Sequence, residues 1–145
     1  MSAVFAVGCD HAGVELKRAL SLQLEKRGFT VLDLGTHSNE SCDYPDFAHA
    51  LAATVERGEA QQGLLVCGTG VGMAMSANRH PGVRAVVCSE PLSARMARKH
   101  NNANVLCIGA RVVGPDTAID ILDAFLSADF EGGRHEKRVA KINPA

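Results

Sequence analysis

Residues 64–73 read LLVCGTGVGM, and this stretch decides the fold of the chain. The apolar run that ends at Cys67 is typical of a buried strand. Three glycines in the next five residues predict a tight turn whose backbone can approach a ligand closely, because glycine has no Cβ. A short helix is predicted to follow over residues 73–78. A strand, a glycine turn and a helix in succession form the repeating unit of folds built on a parallel sheet.

A strand followed by a helix is predicted four more times in the rest of the chain. Apolar runs predict strands over residues 4–8, 29–33, 82–88 and 105–108. Apolar residues at three- and four-residue spacing predict helices over residues 14–27, 45–56 and 115–126. A further helix is predicted to start with Ser89 as its N-cap and to end in the polar residues 99–102. Five alternations with right-handed crossovers predict a three-layer α/β/α, Rossmann-like fold on a five-stranded parallel sheet.

The composition favours one domain and a small partner. The chain has 145 residues, which suits a single domain over residues 1–145, with residues 129–145 as a C-terminal arm or helix. Fifteen basic and 16 acidic residues give a net charge of -1, which predicts no nucleic-acid or membrane partner. No signal peptide or membrane span is predicted. The five cysteines have no CxxC or zinc-like spacing, which predicts free thiols, no metal site and a cytoplasmic location.

The glycine turn has three interpretations. Amide groups that converge at a helix N-terminus can hold a phosphate or a developing oxyanion, and this interpretation is favoured. The spacing G-x-G-x-G and Glu90 after the next strand partly match a dinucleotide-binding fingerprint. That fingerprint, however, needs G-x-G-x-x-G after the first strand. A turn with a purely structural role remains the third possibility.

Cys67, Asp10 and His11 are predicted to lie at the same edge of the sheet, because each stands where a parallel strand ends. Amide groups beside Cys67 would stabilise its thiolate, which could act as a base or a nucleophile. Free cysteines are more often small core residues, and this is the interpretation for Cys9, Cys88 and Cys107. Asp10 could equally serve only as a cap for the following helix.

Two polar groups later in the chain are less distinctive. His100 and Asn101 end a predicted helix, where a histidine can simply complement the helix dipole. Arg134 and Arg138 are four residues apart, so on a helix they would present two guanidinium groups to a phosphate or form a solvated face. Met73 and Met75 are predicted to pack in the core.

Short motifs spread along almost the whole chain give a more specific indication. They are GCDHAG at 8–13, DYP at 43–45, CGTGVG at 67–72, SAN at 76–78, RAVVCSEP at 84–91, HN at 100–101, NVL at 104–106, GAR at 109–111 and GGRHEKR at 132–138. With these motifs the sequence resembles the ribose-5-phosphate isomerase type B family, which also includes the galactose-6-phosphate isomerase subunits. One branch of that family has a glutamate base just past the glycine loop. Position 73 is Met here, so the chain resembles the cysteine branch.

This resemblance implies an aldose–ketose isomerase that interconverts D-ribose 5-phosphate and D-ribulose 5-phosphate through an enediolate. Cys67 would move the proton between C2 and C1, His100 would open the furanose ring, and Asp10 would bind the sugar hydroxyls. The loop that would stabilise the enediolate oxygens consists of Gly68, Thr69, Gly70, Val71 and Gly72. Phosphate contacts would come from His11, Arg111, Arg134 and Arg138, and sugar contacts from Tyr44 and Asn101.

The resemblance also implies no metal or organic cofactor, and a homodimer or homotetramer whose sites are shared between chains. One alternative within the same chemistry is isomerisation of a six-carbon aldose phosphate such as allose or galactose 6-phosphate. Another is a noncatalytic nucleotide-binding module that uses the glycine loop and Glu90. A thiol redox protein is disfavoured by the lack of a CxxC pair.

Overall fold

The computed structural model describes residues 2–145, and strands alternate with helices along them. The strands are β1 (Val4–Cys9), β2 (Thr30–Asp33), β3 (Gln62–Cys67), β4 (Ala85–Val87) and β5 (Val105–Gly109). The helices are α1 (Val14–Lys26), α2 (Tyr44–Glu56), α3 (Val71–Ala77), α4 (Pro91–Asn101), α5 (Pro115–Leu126) and α6 (Arg134–Ala140). A single 3-10 turn, His11–Gly13, joins β1 to α1.

All five strands are parallel and lie in the order β2-β1-β3-β5-β4. The chain moves from β1 to one side for β2 and then crosses to the other side for β3, so its winding reverses between β1 and β3. Ligands of open α/β sheets bind at such a reversal, outside the carboxyl ends of the strands. Cys9 pairs with Val66 there, which places Asp10 and Cys67 on either side of the reversal. The predicted sheet is confirmed.

Two apolar clusters fill the space between the sheet and its helices. One lies under α1, α4 and α5, and the other lies under α2 and α3. Successive side chains of a strand point to opposite faces, so Leu64 and Val66 enter the first cluster and Leu65 and Cys67 the second. The three-layer arrangement is therefore confirmed, and the Cys67 side chain lies on the α2 and α3 side of the sheet.

Two element boundaries differ from the sequence prediction for reasons that involve side chains. β4 has three residues, because the amides that precede it bind side chains: Gly82 N–H donates to Glu56 Oε2 at 2.9 Å and Arg84 N–H to Asn104 Oδ1 at 2.7 Å. The N-cap of α4 is Glu90, not Ser89, and its carboxylate accepts the Ser93 N–H at 3.0–3.1 Å.

The C-terminal arm contains a helix that packs on α4. The Glu131 N–H donates to the Lys99 carbonyl at 3.0 Å, and the His135 ring of α6 stacks on the His100 ring of α4. The arm is therefore attached at the C-terminal end of α4. No helix within residues 2–145 is long and apolar enough to cross a membrane.

Candidate active site

Cys67 directly precedes the glycine-rich loop of residues 68–72. It is the last residue of β3 and is 5% exposed, and its Sγ accepts the Gly70 N–H at 3.2 Å. Gly70 has a φ of 80°, a conformation that favours glycine and that turns the chain into α3 two residues earlier than predicted. Thr69 Oγ1 accepts the Val71 N–H at 3.3 Å. The sulfur of Cys67 thus lies against the backbone of the glycine loop.

The strand cysteines Cys9, Cys88 and Cys107 have a different environment. All three are buried in the apolar clusters, so their interpretation as core residues is confirmed. Burial raises the pKa of Cys9 and of Cys88 to about 11, and it also raises the pKa of Cys107. These thiols therefore stay protonated at neutral pH, and Cys67 differs from them by its position at the edge of an open pocket.

This pocket has a volume of about 370 Å³ and lies where the carboxyl ends of β1, β3 and β5 meet α2 and α3. Its lining consists of Asp10, Tyr44, Cys67, Gly68, Thr69, Val71, Gly72, Met75 and Arg111. The Tyr44 ring lies against Gly72 so closely that a Cβ at that position would collide with it. The Arg111 N–H donates to the Gly68 carbonyl at 3.0 Å, which holds the arginine beside the loop. The structure thus brings eight predicted site residues together in one pocket, with Cys67 and Tyr44 among them.

Asp10 and His11 extend this pocket along the end of β1. Asp10 Oδ1 accepts the Ala12 N–H at 3.0 Å, so the carboxylate caps the 3-10 turn and also lines the pocket. The two interpretations of Asp10 therefore do not exclude each other. His11 Nδ1 accepts the Cys42 N–H at 3.3 Å, which assigns the proton of a neutral ring to Nε2. The loop between β2 and α2 is thereby fastened next to the pocket.

The other predicted residues lie at the opposite edge of the sheet. α4 starts after β4 at the carboxyl edge and is about 16 Å long, so His100 and Asn101 are at the amino edge. Asn104, just beyond, accepts the Gly63 N–H at the start of β3, about 13 Å along the strand from Cys67. Arg134 and Arg138 are in α6, which packs beside His100. One chain thus holds two separate groups of the predicted site residues.

One pocket residue was misjudged from the sequence. Met75 was predicted to pack in the core, and this was wrong, because it is 69% exposed and lines the pocket. It stands four residues after Val71, which is also exposed, and this helical spacing was a signal that could have placed both on the pocket side. Met73 is fully buried as predicted.

Large apolar side chains are exposed at the same edge of the sheet as the pocket. Val71, Met75, Val87, Leu92 and Val112 are each between 41% and 69% exposed. Val87 lies against the loop, within 2.9 Å of where a Cβ on Gly70 would be. Exposed apolar residues grouped around a pocket are typical of a surface that another protein chain covers.

The comparisons with known proteins agree with this geometry. Residues 5–142 match the family model described as Ribose/Galactose Isomerase. The chain belongs to this family. The chain is 52% identical to ribose-5-phosphate isomerase B of Escherichia coli K12, over 94% of this chain and 92% of that protein. The predicted resemblance is confirmed.

Two further proteins that are similar to this chain extend the comparison. The chain is 44% identical to D-erythrulose-4-phosphate isomerase of Pectobacterium atrosepticum, over 94% of this chain and 91% of that one. The crystal structure of ribose-5-phosphate isomerase B from Mycoplasma genitalium contains bound ribulose-5-phosphate. It superposes with a TM-score of 0.93 at 44% identity, and covers 98% of this chain and 95% of that chain.

Proposed function

We propose that this isomerase interconverts D-ribose 5-phosphate and D-ribulose 5-phosphate through an enediolate. The observation that carries the proposal is the Cys67 thiol, which lines an open pocket together with the glycine loop and accepts the Gly70 N–H. The 52% identity to a ribose-5-phosphate isomerase B supports the choice of substrate. We further propose that residues 1–145 act as one domain with residues 129–145 as its arm. The five free cysteines support a reducing compartment such as the cytoplasm.

The proton transfer follows from the position of the thiol. As a thiolate, Cys67 takes the proton from C2 of the open-chain aldose, and the electron pair moves into the carbonyl to form an enediolate. The loop amides and Thr69 stabilise the negative oxygens, as in an oxyanion hole. A proton then passes from O2 to O1 of the enediolate, and return of the first proton from Cys67 to C1 gives the ketose. Asp10 and Tyr44 line the pocket where the sugar hydroxyls would lie.

We propose that the complete site is built from two chains, in a homodimer or a homotetramer. Within one chain, His100 is separated from Cys67 by the length of the sheet. A two-fold axis that brings the amino edge of a second copy to the pocket would supply that copy's histidine to open the furanose ring. It would also cover the exposed side chains of Val71 and Met75. Asn101 would then contact the sugar.

The phosphate would be bound from both sides of such a shared site. Arg111 and His11 lie by the pocket of one chain, and Arg134 and Arg138 of the second copy would approach from α6. These two arginines are exposed and four residues apart on α6, so they face the same direction. Together they offer two guanidinium groups to one phosphate.

Arg138→Ala is expected to raise KM for ribose 5-phosphate about 10- to 100-fold, the range for loss of a hydrogen bond to a charged group, and to change kcat little. The phosphate takes no part in the reaction, so its contacts are equal in the ground and transition states. Lys137→Ala removes the same charge from the adjacent exposed position of α6 and should leave KM unchanged. A large fall in kcat at constant KM would contradict the assignment.

A substrate panel assayed in the presence of EDTA tests the proposed function. Ribose 5-phosphate is expected to give a kcat/KM at least about 10-fold above those of allose 6-phosphate, galactose 6-phosphate and erythrulose 4-phosphate, since one missing or extra carbon already costs that much. Comparable turnover of a hexose phosphate would replace the five-carbon substrate with a six-carbon one. Binding of NAD or ATP without any isomerase activity would favour the nucleotide-binding alternative.

A further inference from the structure

Two residues beside His100 have no role in the function proposed above. The Glu131 carboxylate lies between two imidazole rings, with Oε1 at 3.7 Å from His100 Nε2 and 3.6 Å from His135 Nε2. The rings of His100 and His135 are stacked, with centroids 4.3 Å apart and planes 12° from parallel. Glu131 and His135 both belong to the C-terminal arm. The hydrogen bond from the Glu131 N–H to the Lys99 carbonyl attaches this arm to the last turn of α4. The imidazole of His100 thus has the ring face of His135 stacked against it and the carboxylate of Glu131 beside its Nε2 atom.

This cluster is poorly arranged for a metal ion, although its donor atoms lie within 4.8 Å of one another. A metal ion bonds to the lone pair of an imidazole nitrogen, which lies in the plane of the ring. Because the two rings are nearly parallel and stacked, their lone pairs point side by side and not at a common point. The arrangement instead suits a stacked pair of imidazole rings with one carboxylate beside both of them.

The two rings differ in their exposure to solvent. His135 is buried, whereas the His100 side chain is 39% exposed. Burial, and then the nearby charge of His100, lower the pKa of His135, which keeps that ring neutral near pH 7. A neutral ring stacked on His100 fixes the plane of the His100 imidazole. The carboxylate of Glu131 lies beside Nε2 of the same imidazole, which restricts its rotation.

We propose that Glu131 and His135 are positioning residues that hold the His100 imidazole for opening a furanose ring. The inference rests on the proposed function. Ring opening breaks the C1–O4 bond, places a proton on O4 and removes the proton from the C1 hydroxyl, so the aldehyde forms without oxidation or reduction. The enediolate step needs none of this, because it starts from an open chain. Glu131 and His135 therefore serve the ring-opening step and not the proton transfer at Cys67.

The experiment measures these two steps separately in the same protein. Turnover of ribose 5-phosphate, which is a furanose in solution, requires ring opening. Exchange of the C1 protons of ribulose 5-phosphate in D2O requires only enediolate formation, because this ketose cannot close a five-membered ring while O5 carries phosphate. Glu131→Gln and His135→Ala are expected to reduce kcat for ribose 5-phosphate about 10- to 100-fold, part of the 100- to 10,000-fold range of general acid–base catalysis, and to leave the exchange within about twofold.

Two control variants separate positioning from charge and folding. His135→Phe keeps an aromatic ring against His100 and should recover most of the activity that His135→Ala loses. Glu136→Gln removes a carboxylate from an exposed position of α6 and should be without effect. Loss of both activities to the same extent, or of neither, would overturn the inference. If the native protein catalyses neither reaction, the proposed function itself fails, so the two failures are distinguishable.

Discussion

Cys67→Ala is expected to abolish both ribose 5-phosphate turnover and C1 exchange of ribulose 5-phosphate. The methyl group of alanine cannot accept a proton, and the loss of a general base lowers rates about 100- to 10,000-fold. Alanine removes the sulfur that accepts the Gly70 N–H, but Gly70 O still accepts the Ala74 N–H and Thr69 Oγ1 still accepts the Val71 N–H. The loop should therefore keep its turn into α3. Sugar-phosphate affinity measured by calorimetry should therefore stay within a few-fold of the native value.

Cys88→Ala is the matched control for this experiment. Cys88 is 3% exposed, and burial raises its thiol pKa to about 11, so it should contribute nothing to catalysis. Its variant should retain native kcat after correction for any loss of folded protein, which circular dichroism measures. Substantial turnover by Cys67→Ala would refute the assignment of the base.

Mixing two inactive variants is expected to restore activity if the site is shared between chains. His100→Ala alone should lose ribose 5-phosphate turnover and keep C1 exchange, because its pocket still has Cys67. When His100→Ala and Cys67→Ala chains are refolded together, half of the pairs are mixed, and each mixed pair has one site with both native residues. The expected activity is about one quarter of the native value for a two-fold symmetric pair.

A second mixture tests the geometry of this rescue. Asp10 lies at the same edge of the same chain as Cys67, so a mixed pair of Cys67→Ala and Asp10→Ala has one defect in each of its sites. This mixture should remain inactive. Recovery of activity in the second mixture, or none in the first, would show that His100 and Cys67 act in some other arrangement.

The sequence was sufficient for the fold and for one half of the site. The carboxyl ends of parallel strands lie at the same edge of a sheet. Asp10 and Cys67 could therefore be predicted from the sequence alone to lie close together. The direction of α4 could also be read from the sequence, which puts His100 at the far edge. The residue beside Cys67 that was misjudged is Met75, since apolar residues on a seven-residue helix fit either the core or a covered surface.

Contacts between distant parts of the chain could not be predicted. The pairing of Glu131 and His135 with His100 depends on how the arm folds back onto α4, and short polar motifs do not specify that path. The length of β4 was overestimated because the amides of Gly82 and Arg84 bind side chains of Glu56 and Asn104. Local apolar runs contain no information about such distant acceptors.

In the proposed reaction, one part of the pocket performs the chemistry and another part selects the sugar. The glycine loop would then present backbone amides to the reacting carbons, and amides do not distinguish one sugar configuration or chain length from another. Discrimination therefore belongs to the rim, where Tyr44, Met75 and Arg111 project. A duplicated gene could change these side chains and acquire a new sugar while the reacting centre stayed intact. The architecture thus allows new specificities to evolve without rebuilding the catalyst.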